Sequence, residues 1–258
     1  MENLPHEHLP FEHKPGEKIG SGYESIVREL GPDWVIKEIN PYKPSGEKKS
    51  SGEINFSRSP ERIKVINKNQ ERLEEIFGKE HFARTYFVKV EDKGNKDEYV
   101  MVQKRIKGTV FSEVAGIEFT SNKQMVESSR EDFKNIIWGV KKATVELGVP
   151  MDIHAGNIMR EEKTGRLVIF DSGVPSEEAD LVFNSDLDRA KRAFIRADRR
   201  INRIREYEGY LELTEEERKE LNEKYDLNDE DFERQVEKVD EQKERLKVSD
   251  EELVWRKK

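Results

Sequence analysis

Along the first hundred or so residues apolar positions alternate with polar ones; beyond that they recur every three to four residues. The stretch Glu17–Leu30 carries two alternating runs around Gly20 and Gly22, which predicts a hairpin. Gly31-Pro32-Asp33 turns the chain into a third strand, Trp34–Ile39, with Val35, Lys37 and Ile39 on one face. Pro60, preceded by Ser59 as cap, opens a helix that runs to about Phe77 and stops at Gly78. Its apolar face holds Ile63, Ile66, Leu73, Ile76 and Phe77. Two more strands follow, about Phe82–Val90 and Tyr99–Lys104, joined at Asp92–Asn95, and Gly108 closes this half.

The second half reads as mainly helical. Phe133, Ile136, Ile137, Val140, Ala143 and Leu147 mark a helix that begins near Ser128-Ser129 and ends at Gly148-Val149-Pro150. A short hairpin about Lys163-Thr164-Gly165 comes next, then a long amphipathic helix from Ser185 through Phe194, Ala197, Ile201 and Ile204. Thr214 with Glu217, Asn228 with Asp231 and Ser249 with Glu252 mark later helix starts. The tail from about 212 is acidic and poor in large apolar residues, so it is expected to pack loosely on the body or project from it.

Composition narrows the picture. With 258 residues the chain can form one large domain or two lobes. It is 34% hydrophobic and 40% charged, and no apolar run approaches the roughly 18–20 residues of a membrane span. Met1–His6 lacks a basic stretch followed by an apolar one, so no secretory leader is expected. The absence of cysteine excludes disulfides and thiolate metal sites and fits a cytoplasmic protein. A net charge of −8 argues against wholesale nucleic-acid binding. Residues 1–16, rich in Pro, Glu and His, read as a flexible arm whose His6, His8 and His13 lack a ligand-like spacing.

The chemistry concentrates in Met151-Asp152-Ile153-His154-Ala155-Gly156-Asn157 and in Leu167–Gly173, which places Asp171 after a short apolar run. An acid, an amide five positions on and a second acid after a buried strand is the layout that phosphoryl transfer needs. One carboxylate orients a hydroxyl, while the amide and the other carboxylate hold Mg²⁺ against nucleotide phosphates. Lys37 suits the same purpose, because a lysine among apolar neighbours on a strand face needs an anionic partner or ligand.

Taken together, these segments resemble the protein-kinase-like superfamily over about residues 17–173. Gly20-Ser21-Gly22-Tyr23-Glu24-Ser25-Ile26-Val27 resembles the glycine-rich loop, with Ser25 in place of the third glycine. The resemblance gives Lys37 the grip on the α- and β-phosphates, and gives Val27 and Val35 part of an apolar slot for adenine. Asp152-x-His154-x-Gly156-Asn157 is similar to the aminoglycoside- and small-molecule-kinase branch, and Asp171-Ser172-Gly173 to the metal-binding D-F-G turn. Val100–Gly108 resembles the hinge, with Gln103 as gatekeeper and Lys104 to Ile106 offering backbone groups to adenine. Glu71, Glu74 and Glu75 are all candidates for the helix glutamate that pairs with Lys37.

The chain also departs from that pattern. Pro150 stands where the family has the histidine of H-R-D, no A-P-E follows Gly173, and residues 174–184 are too few for a long activation segment. These departures favour a compact kinase without loop regulation. On the long helix, Arg192, Arg196, Arg199 and Arg203 form a stripe, read either as a solvated face or as a site for a polyanion such as nucleic acid.

The expectation is an α+β, bilobal protein-kinase-like fold. An arm (1–16) would precede a small antiparallel-sheet lobe with one helix (17–108), a reduced, mainly helical lobe (109–211) and a charged helical extension (212–258). Its function would be ATP- and Mg²⁺-dependent transfer of a γ-phosphoryl group to a hydroxyl acceptor, a protein Ser/Thr, a small molecule or the chain itself. Asp152 would act as base, and Asn157 and Asp171 as metal ligands. The rival is a nucleotide-binding docking module acting through its charged C-terminal helices.

Overall fold

The glycine-flanked hairpin forms as β1 (Lys18–Ser21) and β2 (Ser25–Glu29), followed by β3 (Trp34–Ile39). In the computed structural model the described residues are 16–21, 25–39, 60–90, 98–110, 129–148, 150–171, 187–249 and 253. The arm 1–15, Gly22, the turn Asp92–Asn95, Ser172-Gly173 and the Glu252 cap partner therefore lie outside them. Gly31 adopts φ +71°, the left-handed conformation that lets Leu30 N–H reach the Trp34 carbonyl at 2.9 Å. With β4 (Thr85–Val90) and β5 (Glu98–Lys104) these strands make a five-stranded antiparallel sheet in the order β1-β2-β3-β5-β4. One face of it buries Leu30, Ile36 and Val102, with Trp34 and Tyr86 packed alongside.

Helix α1 (Pro60–Phe77) has the bounds that its proline and glycine predict, with Gly78 at φ +74°. Ile63, Gln70, Leu73 and Phe77 are its buried positions. The chain divides into two units, residues 1–71 with 83–106 and residues 72–82 with 107–258, so the boundary falls inside α1. The first unit holds the sheet.

The core of the second unit is built around α2 (Arg130–Leu147), in which Phe133, Ile136, Ile137, Trp138, Val140 and Ala143 are fully buried. The Phe77 ring lies so close to Gly139 that a β-carbon there would come within 2.4 Å of it. Ser129, at the N-cap position, makes no side-chain cap bond, and its hydroxyl accepts from the Arg160 guanidinium instead. Gly108, where the first half was expected to close, starts the strand β6 (Gly108–Val110) of the second unit. This strand joins β7 (Ile158–Glu161) and β8 (Leu167–Ile169) in a second antiparallel sheet. The strands approach so closely that a β-carbon on Gly108 would meet the Arg160 carbonyl oxygen at 2.1 Å, a contact only glycine avoids.

Three helices follow: α3 (Leu187–Leu211), α4 (Glu215–Tyr225) and α5 (Asp229–Leu246). Thr214 and Glu217 form the expected capping box, whereas the Asn228 side chain caps α5 by accepting from Glu230 N–H. The expectation of a loosely packed tail is overturned. Leu221, Leu227, Phe232 and Val236 belong to the same core as Trp138 and Phe133. Few apolar residues suffice because these four join the core around α2 while Leu246, Val248 and Leu253 pack on Phe194 of α3, and polar contacts do the rest. Trp138 Nε1–H donates to the Asn222 side-chain oxygen Oδ1 at 2.7 Å. Lys141, 3% exposed, lies between the Trp138 and Phe232 rings and bonds Asp229 at 3.0 Å and Glu208 at 3.3 Å. The observed class, an antiparallel-sheet N-terminal part followed by a mainly helical C-terminal part, is the α+β arrangement expected. No helix among the described residues is long and apolar enough to cross a membrane.

Two outcomes follow from this packing. Lys141→Ala strips a buried cation from two carboxylates and two rings, and should cost about 3 kcal/mol in denaturant unfolding, with Lys141→Met losing less. At the α1–α2 contact, Arg72 holds the Glu146 carboxyl below its ordinary value, assisted by Lys142. A carboxyl depressed in the folded state adds stability that is full above its unfolded value and fades as pH falls through the folded one. The Tm gap between the wild type and Glu146→Gln should therefore be widest near neutrality and narrow below about pH 4.

Candidate functional site

Strand register collects the first unit's candidates. In the antiparallel pairs Gly20 faces Val27, Val27 faces Lys37, Lys37 faces Met101, and Val35 faces Gln103. Directly opposed and alternate residues share a face, so Gly20, Val27, Val35, Lys37 and Gln103 all lie on the face opposite the Ile36–Val102 cluster. Lys37 is 8% exposed. The Gln103 amide donates to the Ala83 carbonyl at 2.5 Å and to the Thr85 hydroxyl at 3.2 Å, which fixes its side chain. Ser21 is placed by its backbone alone, at the end of β1. Lys104 is exposed and pairs with Trp34; Ile106 is half-buried; the intervening Arg105 N–H is taken by the Asp33 carbonyl at 2.8 Å.

The three helix glutamates separate. Glu71 is largely exposed, 4.0 Å from Arg84, and Glu75 pairs with Arg72 at 2.5 Å. Glu74 is half-buried.

In the second unit, Met151 and Ile153 are buried at 1% exposure each, and the alternation of an extended segment turns Asp152 and His154 the other way. Residues Ala155–Asn157 then make one 3₁₀ turn. The turn is closed by Asn157 N–H on the His154 carbonyl at 2.8 Å and by Gly156 N–H on the His154 ring Nδ1 at 3.0 Å. Asn157, 9% exposed, reaches back with its side-chain amide to the Asp152 carbonyl at 3.0 Å. Its own carbonyl accepts Phe170 N–H at 3.0 Å, and Ile158 pairs with Ile169, so the hairpin delivers exposed Asp171 beside Asn157. The structure thus brings Asp152, Asn157 and Asp171 into one neighbourhood.

Burial pushes the His154 imidazole below its usual value, against the pull of Asp152, while Arg203 adds to the depression. A neutral ring is what lets Nδ1 accept from Gly156. His81, which carried no signal in the sequence, braces the hairpin from outside. Its ring bonds the Leu167 carbonyl at 2.9 Å and its own carbonyl accepts Ile169 N–H.

Two arginines of the long helix complete the site: Arg203, expected in the stripe, and Arg200, for which no role was expected. Arg203 donates to the Ile153 carbonyl at 3.1 Å and to Asp152 Oδ1 at 3.3 Å. Arg200, 7% exposed, lies 3.4 Å from the Pro150 carbonyl and 3.7 Å from Asp152 Oδ2. The proposed polyanion stripe therefore loses Arg203, whose guanidinium is turned to the loop, while Arg196 and Arg199 stay exposed and the Arg192 side chain lies outside the description. A signal for Arg200 existed. Ala193, Ala197, Arg200, Ile204, Tyr207 and Leu211 recur at intervals of four and three, and Arg200 is the polar member of that row. An open cleft of about 820 Å³, lined in part by Lys142, Arg218, Asn222 and Asp231, belongs to α4 and α5 and contains none of these residues.

No protein-family model matches the chain, and no curated protein sequence matches it. Among solved structures it is similar to a MAP kinase from Leishmania major, at 14% identity and a TM-score of 0.38, over 74% of this chain. The chain spans about half (56%) of that kinase's length.

The His154–Gly156 contact can be checked directly. A β-carbon on Gly156 would stand 2.9 Å from the ring's Cε1 and displace it. Gly156→Ala should therefore cost about 1 kcal/mol, the net worth of the lost bond. In a His154→Ala background the same change should cost almost nothing, a coupling read from a double-mutant cycle of unfolding free energies.

Proposed function

We propose that the chain is a kinase-like phosphotransferase that moves the γ-phosphoryl group of ATP, with Mg²⁺, to a hydroxyl. The observation that carries this reading is the loop in which Asn157 bonds the main chain of Asp152 while a hairpin sets Asp171 next to it. The buried lysine on a strand face, in one row with Val27 and Met101, supports it from the first unit.

In this reading Asp152, about one-third exposed, orients the acceptor hydroxyl and takes its proton. Lys37 holds nucleotide phosphates, and the sheet face with Val27, Val35 and Gln103 receives the base. The donor set fits a hard cation. With its amide nitrogen committed to the Asp152 carbonyl, Asn157 has its amide oxygen left for a metal, and Asp171 supplies a carboxylate. One or two such oxygens together with phosphate oxygens are what Mg²⁺ accepts, and the ion would neutralise charge on the phosphates. Asp152-x-His154-x-Gly156-Asn157 supports placing the chain nearer the small-molecule-kinase branch, with a small molecule or a protein Ser/Thr as acceptor.

The wild type, Asp152→Ala and Asp171→Ala should be incubated with labelled ATP and Mg²⁺, alone and with cell extract, and the phosphorylated species identified by mass spectrometry. Each substitution is expected to reduce transfer by about 10²- to 10⁴-fold. Full transfer by either variant removes the role given to that residue.

A further inference from the structure

We propose that Arg200 and Arg203 are positioning residues that tether residues 150–153 and fix the direction of the Asp152 carboxylate. The inference rests on the kinase reading in so far as Asp152 is the reacting carboxylate. Three residues apart on α3, the two guanidiniums project to the same side of the helix. Each reaches one main-chain carbonyl of the loop and one oxygen of Asp152. Arg200 donates to the Pro150 carbonyl and forms an ion pair with Oδ2 at 3.7 Å, and Arg203 donates from Nη1 to the Ile153 carbonyl and to Oδ1. Both carboxylate oxygens and both ends of the four-residue segment are thus reached from one helix.

The helix can serve as a reference because it is itself immobilised. Ile201 and Ile204, each one residue after one of these arginines, are buried in the main core, and Phe194 is fully buried six residues before Arg200. Pro150 explains why a tether from elsewhere is needed. It has no N–H to donate, so its end of the loop can be held only through its carbonyl. Arg203 serves both its acceptors from Nη1, whose direction the rigid guanidinium plane fixes; a lysine ammonium on its flexible stem would carry the charge without that fixed direction.

Arg203, a quarter exposed, is the residue to substitute, since its loss leaves no buried cavity. Arg203→Ala and Arg203→Lys should be compared with the wild type by amide hydrogen exchange over residues 151–157 and by kcat and KM for ATP, with Asp152→Ala as the inactive control. The expected result is faster exchange confined to that segment, and a kcat lowered about 10- to 100-fold at a KM within a factor of about two, in both variants. Unchanged exchange in Arg203→Ala, or full recovery of kcat by Arg203→Lys, would overturn the tether. Altered exchange with unaltered kcat would overturn its link to the reaction. If the wild type transfers no phosphate, the kinase reading fails and the link to the reaction fails with it, while the exchange comparison still decides whether the tether exists.

Discussion

The burial of every residue from 136 to 141, the middle of α2, is the constraint on which the second unit rests. A helix with Phe133, Ile136, Ile137, Trp138, Val140 and Ala143 all inaccessible cannot be covered by a single neighbour. Phe77 closes over Gly139, Tyr207 meets Phe133 edge to face, and Phe232 covers the Lys141 side. The price of such complete burial is a trapped ammonium, and the two carboxylates and two rings around Lys141 answer it. The acidic character of the last third of the chain is therefore partly a packing requirement. Asp229 exists to be met by a lysine inside the core, and Burial that would raise its carboxyl is outweighed by the bonds from Lys141 and Asn222, which hold it low.

Local signals were legible wherever one residue decides the outcome. Pro60 and Gly78 bounded a helix, Gly148 ended another, and Gly165 turned a hairpin, because a fixed φ or a left-handed one admits few alternatives. The strand pattern also put Val35 and Lys37 on one face of β3, since a period of two allows only one common face; Val27 and Gln103 join that face through pairing across β2 and β5. What stayed hidden was pairing across long sequence separations. Nothing near Gly108 says that it will lie against Arg160, and nothing in the sparse apolar residues after 212 says that they face Trp138.

The loop shows the same division. Its acid-to-amide spacing was readable because a single tight turn must return the Asn157 side chain to the Asp152 main chain. The arginines that grip it stayed hidden because an arginine at the edge of an apolar row looks like a solvated residue until its acceptors are known. Arg203 resembled its exposed neighbours Arg196 and Arg199 in sequence, yet it holds the Ile153 carbonyl and the Asp152 carboxylate.

Phe194 sits in a small cluster of its own, closed by Leu246, Val248 and Leu253. The helix that grips the loop thus acquires its last apolar cover from residues far downstream. At a translation rate of about 5–20 residues per second, roughly 3–12 s separate the synthesis of Phe194 from that of Leu253. During that interval the loop residues are all made while Phe194 on the helix that grips them still lacks its cover.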